Sequence, residues 1–142
     1  MRAGTENLYG IVGFAKALEL SAATQEEDTA YIGTLKLYMQ EQLKKNLKGV
    51  GFNGDVLGDS LYTVLSVSFP KTEKSEMLLF NLDINGICAS GGSACASGAE
   101  AGSHVIRAIN NNPNQITVRF SFSKHNTKTE VDTAVEKLKT LV

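Results

Sequence analysis

The sequence predicts a mixed α/β (α+β) domain. It would be a two-layer sandwich with a small, largely antiparallel sheet covered by helices on one face. Three observations predict it. Residues 63–69 and 116–122 alternate apolar and polar side chains, which gives each strand one apolar face and calls for one layer of cover. Several other segments repeat apolar residues at helical spacing. The length of 142 residues suits one domain, expected to span 1–142.

The elements follow in order. Leu8, Ile11, Val12, Ala15 and Leu18 predict a first helix within residues 1–23. Gly10 and Gly13 lie inside it, each at a cost of ~1 kcal/mol relative to alanine in an exposed helix. They predict close packing against another backbone. Thr24 and Glu27 have capping-box spacing, so a second helix is expected from Thr24, with Ile32, Leu35, Met39 and Leu43 as its apolar stripe. Lys44, Lys45 and Lys48 suit the negative end of that helix, and Gly49 can stop it. They read most simply as a solvated helix end.

Leu65, Val67 and Phe69 form the apolar face of the first strand, ended by Pro70. A short helix is expected from about Glu73 to Asp83, with Gly86 after it. Residues 86–102 hold five of the chain's 13 glycines and both cysteines, which predicts a short strand at Ile87–Ser90 and then a flexible loop. Ser103 caps a helical turn carrying Val105, Ile106 and Ile109. Ile116, Val118, Phe120 and Phe122 line the core side of the second strand, with Thr117, Arg119 and Ser121 opposite. Thr127 and Glu130 form another capping box before Val131, Ala134, Val135, Leu138 and Leu141. Ser66, Ser68, Thr117, Arg119 and Ser121 give the sheet a polar face for water, a ligand or another domain.

Composition excludes several classes of function. Apolar residues make up 42% of the chain, which is incompatible with intrinsic disorder. Fourteen basic and 15 acidic residues nearly cancel, leaving no basic field for nucleic acid or an anionic membrane. No apolar run reaches the ~20 residues of a membrane span, and the first residues lack the apolar stretch of a signal peptide. A reducing, cytoplasmic interior with two free thiols is therefore expected. Cys88 and Cys95 are separated by six residues, not a common zinc spacing, and His104 and His125 add little to a metal reading.

Three residues invite a chemical reading. Cys95 lies in Gly91-Gly92-Ser93-Ala94-Cys95-Ala96-Ser97-Gly98, where small neighbours leave little to bury its thiol. Composition leaves a mobile nucleophile and a chance surface cysteine equally open. Arg119, mid-strand between Val118 and Phe120, has a guanidinium shaped to grip a carboxylate in bidentate fashion. Periodicity alone slightly favours a solvated arginine. Thr5 reads first as a helix cap, with phosphate binding as the alternative. Cys88 is expected in or near the core, and His104 at the surface.

Taken together, the motifs resemble the C-terminal part of a cysteine desulfurase, a pyridoxal-phosphate enzyme of the class-V aminotransferase family with fold type I. Arg2-Ala3-Gly4-Thr5-Glu6-Asn7 with Gly10-Ile11-Val12-Gly13-Phe14 resembles the segment entering the small domain. Ser90-Gly91-Gly92-Ser93-Ala94-Cys95 resembles the active-cysteine loop, continued by Ser103-His104-Val105-Ile106. Val118-Arg119-Phe120-Ser121-Phe122-Ser123, Asn126-Thr127 and Glu130-Val131-Asp132 resemble the terminal strand and helix. Gly102 departs from the pattern, standing where many relatives have proline; Gly92 extends the usual Ser-Gly-Ser.

The resemblance implies that Cys95 is the nucleophile, Arg119 holds the substrate carboxylate, and Thr5 reaches the cofactor phosphate of the partner subunit in a homodimer. Cys88 matches no catalytic position. The implied reaction takes sulfur from L-cysteine, leaving L-alanine and a persulfide on Cys95, with pyridoxal 5'-phosphate as electron sink. The persulfide would pass to an acceptor such as an iron–sulfur scaffold. The Schiff-base lysine of the family belongs to a large domain upstream, and no lysine here lies in a matching context. An isolated small domain, inactive and without covalently bound cofactor, is the expectation. A class-V aminotransferase, a selenocysteine lyase domain and a non-catalytic sulfur-carrier or interaction domain are the alternatives.

Overall fold

A computed structural model describes residues 3–56, 58–91, 103–110 and 112–142. Helix α1 (Leu8–Asn46) is followed by β1 (Gly51–Phe52), β2 (Val64–Pro70), a 3-10 turn (Ser75–Met77) and α2 (Leu78–Ile84). Then come α3 (His104–Ile109), β3 (Gln115–Ser121) and α4 (Lys128–Leu141). The sheet is antiparallel in the order β1-β2-β3, with Ser66 opposite Arg119 and Val67 opposite Val118. The expected small antiparallel sheet under helices is what forms.

The core lies between one sheet face and α1, α2 and α4. Leu65, Val67 and Phe69 from β2 meet Val118 and Phe120 from β3. Leu35, Met39 and Leu43, Leu78 and Leu82, and Val131, Val135 and Leu138 cover them. Two tyrosines fasten α1 to the start of α4. Tyr31 donates to the Asn126 carbonyl at 2.7 Å and Tyr38 to Asp132 Oδ1 at 2.7 Å.

Residues 8–46 form one helix rather than the two expected. Thr24 does not cap. Its hydroxyl donates to Asp28 Oδ2 at 2.8 Å, one turn onward, and good helix formers flank it. Asn7, not Thr5, is the N-cap, accepting from the Gly10 amide at 3.0 Å. Burial begins at Ile32; Leu8, Tyr9, Ile11, Val12, Phe14 and Leu18 are all exposed. Gly10 and Gly13 therefore approach no second backbone among the described residues. An added Cβ would meet only the Asn7 side chain at Gly10 and open space at Gly13.

Other expectations shift by a residue or two. The first strand includes Pro70, and the expected helix at 73–83 divides into the 3-10 turn and α2. Gly86, at φ +73°, closes that segment in the left-handed region that favours glycine. The two-residue strand β1 is too short to leave a periodicity in the sequence. Ser103 caps α3 as expected. Thr127 and Glu130 form the reciprocal capping box, with Thr127 N–H donating to Glu130 Oε2 at 2.7 Å.

Candidate functional site

The alternation of β3 decides where its polar side chains go. Val118 and Phe120 are buried, so Arg119 between them leaves on the opposite face and is exposed. Ser66 stands opposite it on β2. On its other side, Ser90 pairs with it antiparallel. The Ser90 amide donates to the Arg119 carbonyl at 3.1 Å, and the Arg119 amide donates to the Ser90 carbonyl at 2.7 Å. The strand expected at Ile87–Ser90 thus reduces to a single bridge, placed at the arginine.

Gly91 continues along the β3 edge. A Cβ there would come within 2.5 Å of Leu79 Cδ1 and 3.6 Å of the Thr117 carbonyl oxygen, so any larger residue must displace Leu79. Beyond Gly91 the chain runs to Cys95, and both Cys95 and the loop expected over 92–102 lie outside the described residues.

The polar sheet face beside Arg119 is ordered by amides. Asn53 Nδ2 donates to Ser66 Oγ at 3.2 Å and to Thr117 Oγ1 at 3.4 Å. Asn110 Nδ2 donates to Asn53 Oδ1 and to Gln115 Oε1, each at 3.0 Å. Ser68, on the same side, is buried rather than open, because Gly51 on β1 faces it closely. The sequence reading missed Asn53 and Asn110. Asn53-Gly54 is a turn signal, with Gly54 at φ +80°, and could have drawn attention to the first; nothing in periodicity marks the second.

The remaining candidates stand elsewhere. Thr5 is exposed before the free end of α1. From Leu8 to Ile32 the helix runs ~36 Å at ~1.5 Å per residue. Thr5 is therefore not brought to Arg119 within this chain. Cys88 is exposed, not in the core. The connection after α2 has left the helical stack there, and the thiol lines a cleft of about 500 Å³ floored by Met39, Phe120 and Val131. That cleft does not include Arg119. His104 opens α3 at the surface. Lys36 is buried, which sequence did not predict. Its ammonium donates to Ser60 Oγ at 2.8 Å and the Leu61 carbonyl at 3.0 Å, and burial lowers its pKa. Among the described residues no cluster of His, Cys, Asp and Glu could hold a metal ion, and no helix is long and apolar enough to cross a membrane.

The described fold is a small antiparallel sheet under helices, with Arg119 on its open face. The chain belongs to the aminotransferase class-V family, whose sequence model matches residues 1–134. It is 38% identical over 141 residues to the putative cysteine desulfurase IscS 1 of Bacillus subtilis, covering 95% of this chain and 36% of that protein. It is 39% identical over 139 residues to a cysteine desulfurase of Bradyrhizobium diazoefficiens, covering 94% and 34%. Among solved structures, a NifS-like protein superposes with a TM-score of 0.79 at 30% identity, covering 98% of this chain and 34% of that one. A NifS-like protein of Rickettsia africae, at 24% identity and a TM-score of 0.75, shares the fold. The chain spans about a third of the length of the curated relatives it matches.

Proposed function

We propose that this chain is the small domain of a cysteine desulfurase, and that Arg119 and Cys95 carry its part of the chemistry. The observation that supports the reading most is the mutual backbone pairing of Ser90 and Arg119. It pairs Ser90, five residues before Cys95 in the sequence, with Arg119 on the polar sheet face.

The exposed residues suit the family's cofactor. Arg119 offers a bidentate grip for the carboxylate of L-cysteine, and the Thr5 hydroxyl is free to meet a phosphate in a partner subunit. None of the three described strands carries a lysine, and in this reading the cofactor lysine comes from the rest of the enzyme. Pyridoxal phosphate, when bound there, supplies an electron sink at the substrate. Arg119 fixes the substrate through its carboxylate. Cys95 as thiolate then attacks the substrate sulfur: an S–S bond forms and the Cβ–S bond breaks. The released electron pair stays with the substrate carbon, which takes up a proton to become the methyl group of L-alanine. Cys95 is left as a persulfide, to be passed to an acceptor such as an iron–sulfur scaffold.

The apolar side chains exposed along the first half of α1 support a place for the rest of the enzyme to pack. The same reading implies a homodimer in a reducing cytoplasm. It is tested in the full-length enzyme. Cys95→Ala should reduce alanine release from cysteine at least ~100-fold and abolish the persulfide seen by mass spectrometry. Undiminished release would remove Cys95 from the mechanism. Release without any persulfide in the unaltered enzyme would favour the lyase or aminotransferase alternative.

A further inference from the structure

We propose that Asn110 is a positioning residue: its side chain latches α3, the first element after the Cys95 segment, to the sheet face that bears Arg119. The proposal rests on the reading of Cys95 and Arg119 above.

Among the described residues, helix α3 packs no side chain into the core. It has six residues and buries none of them, and Val105 and Ile109 are each more than half exposed. A helix of this length has no stability of its own. Among the described residues its ties to the rest of the fold are polar. Asn110 follows its last residue and is half-buried, and its Nδ2 donates to Asn53 Oδ1 and Gln115 Oε1. Asn53 passes the connection on to Ser66 and Thr117. Ser66 is the register partner of Arg119, and Thr117 lies two residues along the same strand.

Within α3 the connection runs back toward the cysteine. The Asn110 amide donates to the Ile106 carbonyl at 2.7 Å, the Arg107 amide to the Ser103 carbonyl at 3.0 Å, and Ser103 Oγ accepts from the Ile106 amide. Ser103 is therefore fixed relative to Asn110, and Asn110 relative to the surroundings of Arg119. Upstream, Ser90 refers the chain to Arg119 through backbone bonds. Downstream, Asn110 does so through side chains.

The test uses Asn110→Asp, which keeps the shape but loses both donors and turns a carboxylate toward two amide oxygens. Asn110→Ala checks that the added charge is not the cause. In both variants of this chain, amide hydrogen exchange over α3 should quicken about tenfold, while β2, β3 and α4 keep their rates. Alkylation by iodoacetamide, read peptide by peptide, gives the second measurement. The rate at Cys95 relative to Cys88 should change by about threefold or more, because only Cys95 lies between the two anchors. Unchanged exchange in α3, or an unchanged ratio of the two thiols, overturns the proposal. Neither result touches the assignment of Cys95 as nucleophile, which alanine release and persulfide formation decide separately.

Discussion

Arg119 is tolerated in the middle of a strand because alternation sends its guanidinium away from Val118 and Phe120 and out to solvent. The sequence shows that much, but strand periodicity cannot separate a solvated arginine from a carboxylate grip. The proposed grip draws on what lies beside it, Ser66 and Ser90, and neither neighbour is near Arg119 in the chain. Arg119→Ala in the full-length enzyme should raise KM for cysteine by about 10- to 100-fold, the worth of a bidentate charge-assisted grip, and Arg119→Lys should recover only part. Thermal unfolding should scarcely move, since the side chain leaves no hole behind. Steady-state kinetics beside a melting curve checks both. Cys88 went the other way: a thiol after an isoleucine reads as packed, yet the turn at Gly86 carries it out to the surface.

Helix α4 was legible to its cap, and α1 was not legible as one element. The capping box at Thr127 forms because a bend precedes it and the first helical amides need acceptors. The same spacing at Thr24 fails because nothing interrupts the helix there, so Thr24 bonds within it. Capping boxes are signals only where the chain turns. The Thr127 amide, and after it the Asn126 side chain, hold the Glu130 carboxyl below its ordinary 4.5. A carboxyl lowered by folding contributes stability above its unfolded value, and that contribution is lost as pH falls through the folded value. Glu130→Gln should therefore lower the melting temperature near neutral pH, and the gap should narrow as acidification protonates the Glu130 carboxyl in the folded chain. The two halves of α1 should also differ in weight. Removing residues 1–20 should cost less than ~1 kcal/mol in urea unfolding, since nothing before Ile32 is buried. Leu138→Ala, in the core, should cost ~2–5 kcal/mol.

At the scale of the whole molecule, the one-sided sheet and its helical cover were readable because each strand has one apolar face and each packed helix one apolar stripe. What periodicity could not reveal were contacts made by few residues over long separations: the two-residue strand β1, the Ser90 bridge and the amides of Asn53 and Asn110. Each is a polar or backbone contact with no repeating pattern. The buried Lys36 is of the same kind, a charge held by two loop oxygens rather than by a carboxylate.

One strand joins these scales. Along β3 the inward residues Val118 and Phe120 fill the core, and the outward residue between them is Arg119. With Arg119 as the proposed carboxylate grip, heat resistance and hold on the amino acid are written into adjacent letters of the same seven-residue word. Breeding the protein for higher temperature by enlarging Val118 or reshaping Phe120 would re-aim the guanidinium between them. The two traits cannot be selected independently along this strand, and the freedom to improve one without disturbing the other lies in α4 and the distant face of α1.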